Sequence, residues 1–334
     1  NKQGITLDLR TPEGVDLVKR LVADCDVLVE NFRPGTMERW GLSPEVLWEA
    51  NPKLTILRVS AFGQEGPYAE KPGFARVADA MSGFLSLCGP ADGAPIHAGY
   101  PIADSVTGLF GALGILTALL ERKENPDAPG QVVAVSLFES MFRILDFLAV
   151  EYDQLGEVRQ RTGNRNPYAA PGNVYRTRDG QWCTLAASTQ TVFERLARAV
   201  GRPDLIEDPR FAANTDRLAN HDDLDAIIGD WFATHDADDA CAQLDAAQVS
   251  AARVRTIDDL FADPQVQASG MLVRVADPEL GVLRMQGVTP RFSRTPGAVH
   301  RSGPVLGGDN EAVYRGLLGL TEVEIASLKA KSVI

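Results

Sequence analysis

The side chain best suited to chemistry in this sequence is a single carboxylate, Asp104, in a glycine-rich segment. The segment Ala98–Gly108 comes directly before the apolar run Leu109–Leu120. If that run is a buried helix, Asp104 lies at its N-terminus, where unpaired backbone N–H groups and the helix dipole keep a carboxylate ionised. A carboxylate held in this way can act as a nucleophile. Aspartate is also a favoured N-cap residue, so a purely structural role is the simplest alternative.

Composition and charge limit the class of protein. The chain has 334 residues, of which 45% are hydrophobic and 23% charged, which is typical of a soluble globular protein of one or two domains. A net charge of -12 argues against general binding to nucleic acid or to an acidic membrane surface. A local basic pocket for a phosphorylated ligand is still compatible with that charge.

Cysteine usage and the absence of targeting patterns indicate a location. The four cysteines form no C-x-x-C pair, so we expect neither a disulfide framework nor a zinc site. No apolar stretch reaches membrane-spanning length without a glycine or a charge, and the N-terminus has no signal-peptide pattern. We therefore expect a soluble protein in the reducing cytoplasm.

Strands and helices alternate in the N-terminal part of the chain. Gly4–Arg10 alternates as a strand does, and Thr11–Val22 opens with Thr-Pro, a capped helix start. Apolar runs at Asp26–Glu30 and Leu54–Ser60 predict two further strands. This order predicts an α/β domain with a parallel sheet, in which ligands bind at the carboxyl ends of the strands.

A smaller α+β domain is predicted after the Pro/Gly-rich loop Thr162–Gly172. An Asp-Gly pair between two strand-like segments predicts a hairpin, and helical patterns follow it. A capping box at Thr321 predicts a C-terminal helix. The predicted boundaries are a large domain over 1–140 completed by 300–334, a linker over 141–170, a small domain over 171–285 and a linker over 286–299.

Short motifs are spread along nearly the whole chain. They are Leu7–Gly14, Val29–Gly35, the Asp104 segment, Gly130–Ser136, Asp208–Phe211 and Phe261–Gln267. In order and spacing they resemble the class III CoA-transferases, the family that includes formyl-CoA transferase and carnitine CoA-transferase. The resemblance implies a large doubly wound, Rossmann-like domain, a smaller domain, and a homodimer whose subunits interlock like links of a chain. The family also has an initial β-α unit before the segment that matches Asn1, so we expect either a truncated chain or an incomplete nucleotide site.

Moving CoA from a thioester to a free acid requires a group that holds the acyl chain and then CoA in turn. Asp104 fits this role: it would attack the donor thioester to give a mixed anhydride, and the CoA thiolate would then form an aspartyl-CoA thioester for the acceptor acid to attack. Backbone N–H groups near Gly99, Ser105 or the Tyr168–Ala170 loop are candidates to stabilise the oxyanions. Coenzyme A is expected as part of the acyl-CoA substrate, with no permanently bound cofactor and no metal.

The resemblance also implies a set of CoA-binding residues. CoA carries a 3'-phosphate and a pyrophosphate, which arginine binds in a bidentate manner. Surface arginines and lysines are more often simply solvated, and an apolar residue such as Leu7 is often plain core. The positions matched to phosphate and ribose are Arg10, Arg33 and Arg39, those matched to adenosine and pantetheine are Leu7, Asn31 and Phe32, and those beside the thioester arm are Lys71 and Phe74.

Two other functions remain open. The related α-methylacyl-CoA racemases pair the equivalent aspartate with a histidine about thirty residues earlier, because two bases must serve the two faces of one carbon. That position is Phe74 here, although His97 is an outside candidate for the second base. The other alternative is a non-catalytic acyl-CoA-binding homologue.

Departures from the family pattern bear on the substrate. Where formyl-CoA transferase has a run of glycines, this chain has Asn166–Ala170, so an oxalate-formate reaction is not expected. Arg76 is spaced to face the same cavity as Asp104, and we hypothesise that it binds the distal carboxylate of a dicarboxylic acid such as succinate or mesaconate. The expected partners are thus an acyl-CoA and a small carboxylic acid, with no nucleic acid and no membrane.

Overall fold

The structure, a computed structural model, describes residues 1–334 and contains two compact units. The first unit comprises residues 1–84, 98–156 and 264–334, and the second comprises 85–97 and 157–263. These limits differ from the predicted boundaries, because residues 264–285 belong to the first unit and residues 85–97 to the second. Pro/Gly-rich loops mark chain turns, whereas unit membership depends on contacts such as the 2.6 Å hydrogen bond from Ser302 to Asp277, both in the first unit.

The chain contains eight strands and fourteen α-helices. The strands are β1 Val27–Glu30, β2 Thr55–Ser60, β3 Val132–Ser136, β4 Gly172–Arg176, β5 Trp182–Ala186, β6 Ser250–Arg253, β7 Leu272–Asp277 and β8 Gly281–Gln286. The helices are α1 Pro12–Val22, α2 Thr36–Arg39, α3 Pro44–Ala50, α4 Ala75–Met81, α5 Ile102–Glu124, α6 Leu137–Arg143, α7 Leu148–Leu155, α8 Gln190–Ala199, α9 Asn214–Ala219, α10 His221–Ala233, α11 Ala237–Ala246, α12 Ile257–Ala262, α13 Pro264–Ala268 and α14 Glu322–Ala330.

The first unit contains a parallel sheet in the order β1-β2-β3, with helices packed against it. Strand β2 is central and buried along nearly its whole length. Helix α1 begins as predicted, with the Thr11 hydroxyl accepting a hydrogen bond from the Gly14 N–H at 3.0 Å. The predicted α/β class, with β1 and β2 as parallel strands, is confirmed.

The prediction of a strand at Gly4–Arg10 is wrong. The segment pairs with no strand, because its N–H groups are satisfied elsewhere. The Gly4 N–H donates to Asp309 at 2.8 Å, and the Asp8 N–H donates to the Val333 carbonyl at 2.8 Å. These contacts tie the N-terminal segment to the C-terminal part of the first unit, where Leu17 and Tyr314 share one buried cluster.

The second unit is built on the antiparallel sheet β4-β5-β6, with the predicted hairpin between β4 and β5. Helices α8, α10 and α11 supply much of its core. Tyr175 stacks on Phe232 with ring centroids 5.2 Å apart and planes 6° from parallel. Two of the four free cysteines meet here, with the Cys183 and Cys241 Sγ atoms 3.8 Å apart.

Candidate active site

Helix α5 packs on the sheet of the first unit and runs from the carboxyl ends of its strands to their amino ends. Its last turn lies at the amino ends of the strands, since the Arg122 guanidinium donates to the Lys53 carbonyl at 3.0 Å and pairs with Asp26 just before β1. Asp104 is about 27 Å away along the helix at ~1.5 Å per residue. Because the helix lies against β2 and β3, its first turn, with Asp104, is at the carboxyl edge of the sheet.

Two glycines let α5 approach the sheet closely. A Cβ atom on Gly114 would lie 2.7 Å from Val133 Cγ1, and one on Gly111 would lie 3.0 Å from Leu57 Cδ2. Real Cβ atoms rarely have room for such contacts, so larger residues would push the helix away from the strands. The glycines therefore fix the distance between the Asp104 helix and the sheet.

Asp104 is the third residue of α5, and its side chain is exposed in the first turn. The N-cap is Pro101, so the alternative of Asp104 as an N-cap is wrong: the helix begins before the apolar run, at Ile102. An exposed carboxylate here faces the positive end of the helix dipole. The expectation that the run Leu109–Leu120 is buried is also wrong for one face, as described below.

The first residues of three helices share one buried cluster beside Asp104. Ala103, which precedes it, is fully buried in one cluster with Ala75 and Ala78 of α4 and with Leu137 and Met141 of α6. Alanine side chains allow the helix backbones to approach closely. The first turns of α4 and α5 therefore meet at one point of the first unit, and Phe74, the N-cap of α4, is 79% exposed there.

The loop after β2 is held against the end of that strand. A Cβ atom on Gly73 would lie 2.5 Å from the Ala61 Cβ and 2.8 Å from the Phe62 ring, so only glycine permits this approach. The exposed Lys71 ammonium stacks over the Tyr68 ring at 3.9 Å from its centroid. The loop thus brings Lys71 and Phe74 to the carboxyl edge of the sheet.

The loop after β1 carries the predicted residues Asn31, Phe32 and Arg33, all exposed. The Phe32 N–H donates to Glu30 Oε2 at 2.7 Å, and the Phe32 ring meets Trp40 edge-on at 5.0 Å. The side chain of Arg33 is free of polar contacts, whereas Arg39, at the end of α2, donates to the Thr36 hydroxyl at 2.8 Å.

A buried ion-pair network supports this loop. The Arg58 guanidinium on β2 donates to Glu30 on β1 at 2.7 Å and to Glu38 on α2 at 2.8 Å. Burial would raise the pKa of Glu38, but the hydrogen bonds from Arg58, a backbone hydrogen bond and the positive charge of Arg58 together lower that pKa. Sequence reasoning missed this network, although a charged residue within each of two apolar strands was a visible signal.

Leu7 and Arg10 lie elsewhere in the first unit, along a cavity of about 510 Å³. The C-terminal residues Lys329 and Ser332 line the same cavity. Arg10 is not free for a phosphate, because it forms a forked ion pair with Asp8, with both N···O distances at 2.8 Å. Those hydrogen bonds lower the pKa of Asp8 to about 2. The Asp-x-Arg spacing was visible in the sequence, but its consequence for Arg10 was not foreseen.

Most of the candidate oxyanion donors are already engaged. The Ser105 N–H donates to the Pro101 carbonyl at 3.3 Å, within the first turn of α5. In the second unit, the Tyr168 N–H donates to Asn166 at 2.9 Å and the Ala170 N–H to Asn214 at 3.0 Å. The expectation is therefore wrong for these three groups, because the helix and the side chains of Asn166 and Asn214 already accept their hydrogen bonds. The Gly99 N–H is not consumed in this way.

The buried Arg217 holds the loop around Ala170 by hydrogen bonds. Its guanidinium donates to the Ala170 carbonyl at 2.8 Å and to the Phe211 carbonyl at 3.0 Å, and it lies over the Phe193 ring. Arg217 is only 1% exposed and has no carboxylate partner, and burial lowers its pKa. Where formyl-CoA transferase has glycines, this chain thus has the segment Asn166–Ala170, which is anchored by hydrogen bonds.

Helix α5 also presents an apolar stripe to solvent. Its leucines on one face are between 59% and 73% exposed: Leu109, Leu113, Leu116 and Leu120. By length and composition alone α5 is one candidate membrane span, with a mean hydropathy of 1.6 over 18 residues, of which 22% are buried. Helices that pack on sheets pass the same test, and α5 contacts β2 and β3 through its glycines.

Comparison with known proteins places this arrangement in a family. The profile of CoA-transferase family III matches residues 1–310. Over its whole length the chain is 44% identical to a succinyl-CoA–D-citramalate CoA-transferase and 40% identical to the beta subunit of a succinyl-CoA–L-malate CoA-transferase, both from Chloroflexus aurantiacus, and covers 83% of each. A CaiB/BaiF family protein from Brucella suis has the same fold, with a TM-score of 0.83 and 34% identity over 94% of this chain and 81% of that one.

The chain belongs to CoA-transferase family III, and its fold is that of the CaiB/BaiF proteins. It is therefore an enzyme of the CoA-transferase class, whose substrates are CoA thioesters and carboxylic acids. The resemblance found from the sequence motifs is confirmed.

Proposed function

We propose that this protein moves CoA from succinyl-CoA to a second dicarboxylic acid through covalent intermediates on Asp104. The observation that carries the proposal is the exposed carboxylate in the first turn of α5, at the carboxyl edge of the parallel sheet. Ligands in such sheets bind at that edge. The names of the relatives supply the substrate class, since succinate, malate and citramalate are all dicarboxylates.

The chemistry proceeds in balanced steps on one side chain. The Asp104 carboxylate attacks the succinyl-CoA carbonyl, giving a mixed anhydride and CoA thiolate. The thiolate attacks the aspartyl carbonyl, which releases succinate and leaves an aspartyl-CoA thioester. The acceptor carboxylate displaces the thiolate to give a second anhydride, and the thiolate then attacks the acceptor acyl carbon, which yields the new thioester and restores Asp104. The Gly99 N–H is the candidate donor to the oxyanions.

The residues matched from the sequence bind CoA in this proposal. Asn31, Phe32 and Arg33 follow β1, and Lys71 and Phe74 follow β2, so both loops lie at the edge of the sheet where Asp104 is found. The exposed rings of Phe32 and Phe74 offer apolar surface to the pantetheine arm. Leu7, Arg10 and Arg39 complete the proposed set, with Arg10 able to reach a phosphate only if it leaves Asp8.

We also propose a homodimer in the cytoplasm. Leucines at positions 109, 113, 116 and 120 form a continuous apolar stripe along α5, and stripes of this kind mark interaction surfaces. A second copy of the chain would cover that stripe and remove the leucines from water.

The covalent mechanism is tested by trapping the intermediate. The protein is incubated with succinyl-CoA and hydroxylamine, and mass spectrometry then locates any hydroxamate. The expected result is a hydroxamate at Asp104 in the wild type and none in Asp104→Ala. A panel of other acyl-CoA donors serves as a control for donor identity, and the proposal fails if no donor modifies Asp104.

A racemase reaction has less support. Phe74 occupies the position of the second base, and its exposed phenyl ring cannot take up a proton. Incorporation of solvent deuterium at the α-carbon of a 2-methylacyl-CoA would favour the racemase over the transferase.

A further inference from the structure

Arg76 lies in the first turn of α4, next to the start of the Asp104 helix. It follows Ala75, which is buried in the same cluster as Ala103, the residue before Asp104. Both charged side chains are exposed, and both come directly after a buried alanine at the start of a helix. The shared cluster therefore brings the two helix starts together, with a cation on one and a carboxylate on the other.

Arg76 has no acidic partner within the protein. Other arginines of the first unit are neutralised by carboxylates, as Arg10 is by Asp8 and Arg58 by Glu30 and Glu38. The guanidinium of Arg76 forms no ion pair and no hydrogen bond, and the nearby Lys71 is occupied by the Tyr68 ring. An unpaired guanidinium keeps its full fork of donors for a carboxylate or phosphate.

We propose that Arg76 binds the distal carboxylate of a dicarboxylic substrate, the carboxylate that does not react, and so selects dicarboxylates. The inference rests on the proposed function, because it takes Asp104 as the nucleophile. A dicarboxylate brings a second negative charge toward the Asp104 carboxylate, and an unpaired cation at the adjoining helix start offsets that repulsion. A monocarboxylate brings no charge for Arg76 to bind, so it gains nothing from the guanidinium.

The test compares two donors that differ only in the distal carboxylate. The single-turnover rate of hydroxylamine-trapped adduct formation on Asp104 is measured with succinyl-CoA and with butyryl-CoA, in the wild type, Arg76→Ala and Arg76→Lys. Trapping under single-turnover conditions registers even a slow donor. Arg198→Ala is the matched control, because that exposed arginine lies in the second unit and pairs only with Glu194.

We expect Arg76→Ala to slow the succinyl reaction by about 10- to 100-fold, the usual range for a lost charge-assisted hydrogen bond, and the butyryl reaction by less than about 3-fold. The rate of Arg76→Lys with succinyl-CoA should lie between those of the wild type and Arg76→Ala. Lysine keeps the positive charge but loses the paired N–H donors of the guanidinium. Equal losses with both donors would overturn the inference and leave the transferase proposal intact. A wild-type protein that forms no adduct with either donor, or with the wider panel, would overturn both.

Discussion

Arg122 in the last turn of α5 pairs with Asp26, which immediately precedes β1. The pair joins the helix that carries Asp104 to the amino edge of the sheet, so the helix cannot slide along its axis without breaking it. Arg122 is 21% exposed and Asp26 75% exposed, which places the pair at the surface. The position of Asp104 at one edge therefore depends partly on a contact at the other.

Breaking the Arg122–Asp26 pair should lower the free energy of unfolding only slightly. The coupling between the two side chains should nevertheless be measurable. We expect Arg122→Ala and Asp26→Ala to show a coupling free energy of about 0.5–1 kcal/mol in a double-mutant cycle, as surface pairs do. The measurement is the free energy of unfolding in urea for both single variants and the double variant. The interpretation would be wrong if the two effects simply add.

Replacing either of two glycines in α5 by alanine should change the stability of the first unit, in opposite directions for the two positions. Gly114→Ala places a Cβ atom 2.7 Å from Val133 Cγ1 and should destabilise the first unit by about 1–3 kcal/mol. Gly108→Ala has nothing within 4 Å of its new Cβ atom and should stabilise it by about 0.5–1 kcal/mol through helix propensity. Urea unfolding measures both. Stabilisation by both variants would argue against close packing of α5 on the sheet.

Releasing Arg10 should strengthen CoA binding. In Asp8→Asn the forked ion pair is lost, and a negative charge is removed from the proposed phosphate site. We expect the affinity for CoA to rise roughly fivefold, since like charges about 4 Å apart in water repel by about 1 kcal/mol. Isothermal titration calorimetry measures the change.

The matched control for this prediction is Asp16→Asn. It removes the same charge from α1, and Asp16 lines a different cavity of the first unit. A similar gain in both variants would assign the effect to net charge rather than to Arg10.

Cys183 should be protected from alkylation in the folded protein. Burial, and next the neighbouring Cys241 thiol, raise the pKa of Cys183 to about 12. The folded pKa lies above the unfolded value of about 8.5. The protonated thiol thus stabilises the fold fully below about pH 8.5, and this contribution is lost as the pH rises toward 12.

Iodoacetamide at pH 8 followed by mass spectrometry measures this protection. The exposed Cys25 should be modified well before Cys183 in the native protein. In guanidinium chloride the two rates should converge, which controls for intrinsic reactivity. Equal rates in the native protein would contradict the burial of Cys183.

The local elements were predictable because their causes are local. Thr-Pro at residues 11 and 12 predicts a capped helix start, and the Asp-Gly pair at 179 and 180 predicts a hairpin. The segment Gly4–Arg10 has the alternating pattern of a strand, but the prediction of a strand there was wrong. Its hydrogen bonds go to Asp309 and Val333, some three hundred residues away, which no local pattern reveals.

For the candidate site, the sequence by itself determined the family, the candidate nucleophile Asp104 and the positions matched to CoA, because motifs and their spacing are carried by the chain. Only the tertiary structure decided which of these groups are already engaged. Arg10 is held by Asp8, and the Tyr168 N–H by Asn166, whereas Arg76 has no partner beside the start of α5. The reason is physical: a residue's type fixes which bonds it can form, but its availability depends on every neighbour that folding brings within hydrogen-bond distance.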